Sequence, residues 1–329
     1  MRWRRVRPAR CAIVGAVGAA LAVLVVALAG THAAAGAWPG ANGRIAFDRA
    51  GDIYSVLPDG THLRRLTRTS APENEPRYSA RGHRIVYLRG GRDKPTSIWV
   101  MNADGSHQHA VTRNHDSRSV GDREPAFSRS GRTIVFASDR DVSGQTDIYA
   151  VRSDGTRLRR VTHTDSLSES GPVFTPDSEH IVFSGETDPL AGHAEIFSMR
   201  LDGSHRRRIT HEARVPGERA VHRHGADALE PDLSPHGATI VFFRDSGFGN
   251  DARLYRVDFD GDDERLFEGS RGDRAPVFSP DGRRIAFDRL RGGFERILTM
   301  GLDGRHVRPV GRSRGFDDEP DWQPVGDED

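Results

Sequence analysis

Cysteine is almost missing from this chain. Cys11 is the only one, and it precedes an apolar run near the N-terminus. Disulfides and cysteine-ligated zinc are therefore excluded from everything downstream. Lysine is equally scarce: Lys94 stands alone among 48 basic residues, the rest being arginine. Neither sign of charge dominates, and the formal net charge is +1. The first 37 residues hold five arginines and no acid, which leaves 43 basic and 47 acidic residues beyond them. A slightly acidic domain lacks the basic footprint of a nucleic-acid binder. Hydrophobic residues make up only 36%. Short strands joined by polar, glycine-rich turns dilute a core in this way, so the low figure does not argue for disorder.

Long apolar runs are absent with one exception. Cys11 to Ala29 is a 19-residue stretch dominated by Ala, Val, Leu, Ile and Gly. The basic segment Met1 to Arg10 precedes it, and Ala33-Ala34-Ala35 and Ala35-Gly36-Ala37 follow it. Basic, apolar and small-residue parts in this order read as a secretory signal. The run is also long enough for a retained membrane anchor. The small residues directly after it favour cleavage. Cys11 lies on the wrong side of the run for a lipoprotein. Either outcome places residues 38–329 outside the cytoplasm, in a secreted or periplasm-like space, because the arginines stay on the inner side.

What the rest of the chain does have is one phrase said six times. An apolar triplet recurs as Ile45-Ala46-Phe47, Ile85-Val86-Tyr87, Ile134-Val135-Phe136, Ile181-Val182-Phe183, Ile240-Val241-Phe242 and Ile285-Ala286-Phe287. Each is followed by Asp-Gly, at Asp59, Asp104, Asp154, Asp202, Asp260 and Asp303, spaced 45, 50, 48, 58 and 43 residues apart. Repeats of about 40–50 residues built from short strands indicate a β-propeller with four strands per blade. In the copy from Glu124 to Thr162 the pattern predicts an inner strand Glu124 to Ser128 and a second strand Thr133 to Ala137. A third strand, Asp147 to Val151, and an outer strand, Leu158 to Thr162, complete it. The inner strands carry Pro76, Pro125, Pro172, Pro231, Pro276 and Pro320, each read as a strand's first residue, where no ladder bond is lost.

The first triplet has no Pro-x-aromatic strand before it, and the last such strand, around Pro320 and Trp322, has no triplet after it. The C-terminal strand is thus expected to complete the blade begun at Gly43. The fold class expected is all-β: a six-bladed propeller over residues 38–329, closed by pairing its two ends.

The phrase Ala275-Pro276-Val277-Phe278-Ser279-Pro280-Asp281-Gly282, with Asp147-Ile148-Tyr149 and Arg159-Arg160-Val161-Thr162, resembles the WD40-like (PD40) repeat of TolB-type propellers. The resemblance covers about residues 41–324. It implies a propeller like that of periplasmic TolB in the Tol–Pal envelope system, which binds the peptidoglycan-associated lipoprotein. The family that the phrase resembles also includes the propeller domains of some serine peptidases and many stand-alone exported proteins. The 329 residues leave no room for TolB's separate α/β domain or for a hydrolase domain, so a stand-alone propeller is expected.

Strand alternation puts the short first-to-second turns and the Asp-Gly turns on one face. The longer, varied loops share the other. Glu75, Glu124, Glu230 and Glu319 each precede an inner-strand proline, so four carboxylates are expected around the channel mouth on the loop face. Such a ring suits a cation or a basic peptide segment; it also suits hydrogen bonds within the fold. The longest loop, His211 to Leu229, holds His211, His222 and His224, but no third-ligand spacing supports a metal there. Arg64-Arg65, Arg159-Arg160 and Arg206-Arg207-Arg208 fit outer strands, where arginine blunts edge pairing.

These residues point to a monomeric, non-enzymatic scaffold that binds an envelope or secreted protein or peptide on its loop face, with no cofactor, no metal and no nucleic acid. The alternative is a hydrolase or lyase acting on an envelope polysaccharide or peptide at the channel mouth. No nucleophile elbow is identified for that reading.

Overall fold

The computed structural model describes residues 38–91, 94–113, 121–141, 144–164, 167–187, 193–211, 226–245, 251–311 and 316–326. These residues form six four-stranded antiparallel sheets and no helix. Each sheet is one blade, numbered here from the N-terminus. In blade 3 the strands are Asp122–Phe127, Thr133–Ser138, Asp147–Arg152 and Arg159–Arg160.

Blade 1 is assembled from both ends of the domain. Asp317–Val325 pairs antiparallel with Ala41–Arg49, setting Trp322 opposite Ile45 and Asp317 opposite Arg49. The ring closes as the repeat register requires.

The second strands are apolar on both sides because both sides are covered. Ile134 and Phe136 pack with Val86, Leu88, Ile98 and Val100 of blade 2. The intervening Val135 packs with Phe174, Ile181 and Phe183 of blade 4. Period-2 geometry sends alternate residues to opposite faces, so a run such as Ile-Val-Phe fills two interfaces at once.

Two sequence expectations need correction. The outer strand of blade 3 is Arg159–Arg160 alone, not Leu158 to Thr162. Beyond it, Val161 N donates to Ile148 O at 2.7 Å, and Ile148 N donates to Thr162 Oγ1 at 2.9 Å. The threonine side chain takes over from the backbone ladder and ends the edge early, which leaves little strand exposed for another chain to pair with. The inner-strand prolines are also not first residues: Pro76 is the fourth residue of Glu73–Tyr78. They are tolerated because each sits in a β-bulge, described below.

The turns follow their residues. Asp104 Oδ1 accepts from Ser106 N at 2.9 Å, and Gly105 has φ of 89°. A Cβ on Gly105 would lie 2.6 Å from the Leu66 carbonyl oxygen, so glycine is required there twice over.

Candidate functional site

The glutamates before the prolines owe their position to a backbone device. In every inner strand the pairing register jumps at the step into the proline, for example between Arg123 and Ala126 and between Asn74 and Arg77. The residue at the jump has positive φ in all six blades: Glu75 52°, Glu124 53°, Gly171 57°, Glu230 49°, Ala275 45° and Glu319 52°. Left-handed backbone at a non-glycine residue costs roughly 1 kcal/mol or more. The bulge re-aims each side chain, and the glutamates converge on the central channel.

The four predicted glutamates are thereby brought together. Glu75, Glu124, Glu230 and Glu319 line one cavity of about 20 Å³, with Arg77 beside them. That volume holds a water-sized body and excludes a threaded polypeptide. Two of the carboxylates also serve the fold. Glu75 Oε2 accepts from the backbone N of Glu124, and Glu124 Oε2 accepts from Gly171 N at 2.6 Å. Each carboxylate holds the next blade's bulge. Glu230 Oε2 is buried and has no hydrogen-bond partner.

Two residues further along each strand lies a second layer that the sequence reading did not single out. Arg77, Asp232 and Asp321 occupy it, in the x position of Pro-x-aromatic. Arg77 Nη1 lies 3.6 Å from Asp321 Oδ1. Asp321 Oδ2 accepts from Tyr78 N at 2.6 Å, and Asp232 Oδ2 from Phe278 N at 2.8 Å. Reading the x positions together would have exposed this trio, since Ala126, Val173 and Val277 fill the other blades. A third layer includes Tyr78, Phe127, Phe174, Phe278 and Trp322. Trp38, 8% exposed, borders that layer's small cavity from the turn face.

Burial sets the protonation of this column. It raises the Glu75 carboxyl well above the usual range, and the charges of Glu319 and Glu124 raise it further. Glu230 is raised likewise, by burial and then by Glu319 and Glu124. Burial pushes Glu319 up to about 7 against the pull of Arg77. It pushes Asp232 up to about 7 and Asp321 to about 6, again against Arg77. Burial lowers Arg77, but Asp321, Asp232 and the glutamates outweigh it and keep the guanidinium charged. A cation arriving at the mouth favours the ionised carboxylates, so binding an ammonium or guanidinium group would release protons.

Of the three predicted histidines only His211 lies among the described residues, and it does not line the cavity. His211 is exposed, and its carbonyl oxygen accepts from Arg244 Nη2 at 3.2 Å. His222 and His224 lie outside the described residues. Among the described residues the metal-compatible group is Asp177, Glu179 and His180, which lies in a first-to-second turn and so on the turn face. Asp177 Oδ1 is already engaged there by Thr175 Oγ1 at 2.6 Å and Glu179 N at 2.9 Å. Asp147, another acid of the loop face, is paired with Arg160 at 2.7 Å. One Gly-x-Ser-x-Gly string does occur, from Gly311 to Gly315. Residues 312–315 lie outside the described residues; the string falls between the strands Arg308–Pro309 and Asp317–Val325, and no helix follows it. It is not set between a strand and a helix.

Comparison with known proteins places this architecture. The TolB beta propeller domain (PD40) matches residues 52–326. A protein TolB homolog of Chlorobium luteolum is 28% identical over 179 residues, covering 54% of this chain and 36% of the relative. The chain spans between 36% and 61% of the length of the curated relatives it matches. Among solved structures, TolB from Acinetobacter baumannii superposes with a TM-score of 0.70 at 18% identity, over 88% of this chain and 68% of that one. Kuenenia stuttgartiensis hydrazine synthase shares the fold at TM-score 0.69 and 16% identity, over 88% of this chain and 48% of that one. Those structural likenesses are of fold alone, whereas the sequence match over residues 52–326 is one of family: the chain belongs to the TolB β-propeller domain family.

Proposed function

We propose that this protein is an exported, non-enzymatic scaffold whose loop face binds a basic segment of a protein or peptide partner in the cell envelope. The observation that carries the reading is the convergence of Glu75, Glu124, Glu230 and Glu319 on one cavity. A cavity of about 20 Å³ supports a partner that caps the channel mouth with a cationic side chain and does not thread through it. The unpartnered Glu230 Oε2 is an acceptor available to that side chain. Membership of the TolB propeller family supports a protein ligand, and the basic–apolar–small order of residues 1–37 supports export. His211, His222 and His224 belong to the same face by sequence and are proposed as part of its rim.

The test replaces the four glutamates with glutamine, singly and together, and measures capture of partners by the exported protein from its own envelope. Glutamine keeps the acceptor that holds the neighbouring blade and cannot ionise when a cation arrives. Losing a charge at a desolvated contact costs roughly 2–5 kcal/mol, and a rim charge far less. Capture should therefore fall with the glutamine variants and hold with Asp104→Asn and Asp154→Asn on the opposite face, compared at matched thermal stability. Equal binding by both sets, or loss from the turn-face variants alone, would overturn the reading. Calorimetry in buffers of different ionisation enthalpy should also show protons released on binding.

A further inference from the structure

The turn face carries a surface that the loop-face reading leaves unused. A concavity of about 940 Å³ lies across the first-to-second turns of blades 2, 3 and 4. Its lining includes Trp38, Arg81, Arg84, Arg129, Arg132 and Asp177, with His83 beside them. Arg84 is spoken for: its Nη2 donates to Gly131 O at 2.5 Å, and its guanidinium lies 5.1 Å from the Phe127 ring centroid. Arg81, Arg129 and Arg132 are exposed, and among the described residues their side chains meet no carboxylate and no other acceptor. This departs from the habit of the molecule. Arg49, Arg89, Arg140 and Arg289 all close onto a buried acid. The single carboxylate of the groove, Asp177, accepts through Oδ1 from Thr175 and Glu179 of its own turn and makes no ion pair with these arginines.

We infer that this groove docks on the anionic headgroups of a membrane, holding the turn face against the bilayer and the loop face away from it. Two observations fix the occupant. The first is charge complementarity, three uncompensated guanidinium groups on one rim. The second is where the chain enters. Trp38, the first described residue, borders both the groove and the third layer of the channel, so residues 1–37 join the propeller at this face. They contain the apolar run Cys11 to Ala29, and only Gly30 to Ala37 separate that run from Trp38. Those eight residues reach no further than about 30 Å when fully extended. While the run stays in a bilayer, the groove cannot leave the neighbourhood of the headgroups. The inference does not depend on which partner the loop face binds; it rests on residues 1–37 remaining attached.

The test uses the full chain in nanodiscs of phosphatidylcholine alone and of phosphatidylcholine mixed with phosphatidylglycerol. Hydrogen exchange is followed in the turns at residues 79–84 and 128–133, with the turns at Asp202 and Asp260 as internal controls. Anionic lipid should slow exchange in the first pair and leave the controls unchanged. Each arginine near an anionic surface strengthens association about five-fold, so the triple variant Arg81→Ser, Arg129→Ser, Arg132→Ser should lose on the order of 100-fold in docking. Its melting temperature should match wild type, because these side chains make no hydrogen bond or ion pair among the described residues. Added salt should weaken the protection. Equal exchange in both lipids, protection that survives the triple substitution, protection that needs an added protein, or native protein recovered free of membrane and lacking residues 1–37 would each overturn the inference.

Discussion

Arg49 grips Asp317 with two hydrogen bonds, Nε to Oδ1 at 2.5 Å and Nη2 to Oδ2 at 2.8 Å, across 268 residues of chain. Asp317 is buried, and the Arg49 guanidinium lies over Phe47 and Tyr54 at 5.1 and 5.2 Å. The same clamp recurs within blade 2, between Arg89 and Glu73 at 2.8 Å. In blade 1 it joins the first strand of the propeller to its last. Asp317→Ala leaves a guanidinium without its acid, a loss of about 3 kcal/mol at the lower end for buried pairs because Arg49 is a quarter exposed. Denaturant unfolding should show that loss as a lower midpoint at unchanged slope. A chain ending at Phe316 removes the whole inner strand and should melt far below the intact protein. Equal melting would refute closure by the C-terminal strand.

A second prediction concerns the threonine that ends the outer strand in blades 1 to 4. Ile53, Ile98, Ile148 and Ile196 donate their N–H to Thr67, Thr112, Thr162 and Thr210 Oγ1 at 2.8, 2.8, 2.9 and 2.9 Å. Valine has the same shape and no acceptor. Thr162→Val should cost about 1–3 kcal/mol through the orphaned N–H of Ile148. Thr162→Ser should restore most of it, as Ser270 shows by accepting from Leu254 N at 3.1 Å in blade 5.

Stability should depend on pH with the sign opposite to ordinary acid denaturation. Asp48 faces Asp318 across the closing strand pair. Burial, then the charge and hydrogen bond of Asp318, push Asp48 up to about 10. Burial raises Asp318 and Asp288 too, and Asp288 Oδ1 has no partner. Acids with raised pKa bind more protons folded than unfolded. Their stabilising effect is complete below about pH 4 and is lost as pH climbs through the folded values. Asp321, at about 6, and Asp232 and Glu319, at about 7, place much of that loss between about pH 4 and 7. The melting temperature should therefore fall across that interval. Asp48→Asn should raise it at pH 8 more than at pH 5, and a flat difference between the two would remove Asp48 from the account.

The N-terminal segment yields a fourth expectation. Processing at the small residues should leave a mature N-terminus near Gly36 or Trp38, and retention should leave Met1 in the membrane fraction. Edman sequencing of native protein separates the two, and an intact cytosolic protein would exclude both.

The repeat made the ring, its blade count and its closure readable, because a triplet such as Ile134-Val135-Phe136 must fill two interfaces in any register. The Glu-Pro bulge was harder. Glutamate gives no hint of positive φ, and only Gly171, standing in for it in blade 4, carried the conformational clue. Without the bulge, Pro76 looked like the start of a strand that begins three residues earlier at Glu73. The four glutamates were found because they are attached to the repeat; Arg77 was not, because its position is filled by alanine or valine in half the blades. Asp48 and Asp288 escaped notice for a similar reason. They follow apolar triplets at places where other blades put Leu88, Ala137 or Phe243, and nothing local distinguishes a buried acid from a surface one.

The glutamate belt also bears on how the ring carries load. Glu75 holds blade 3 and Glu124 holds blade 4, so blades 2 to 4 are strapped like staves inside a hoop. Gly171 and Ala275 have no carboxylate with which to continue the strap. Around the remaining arc other groups tie the blades: Arg244 reaches Glu195 from blade 5 to blade 4, Asp232 holds Phe278 N between blades 5 and 6, and Asp321 holds Tyr78 N between blades 1 and 2. A sixfold repeat in sequence thus yields a hoop whose ties are not sixfold: glutamate at the mouth joins blades 2 to 4, other side chains join the rest, and the clasp lies where the two ends of the chain meet.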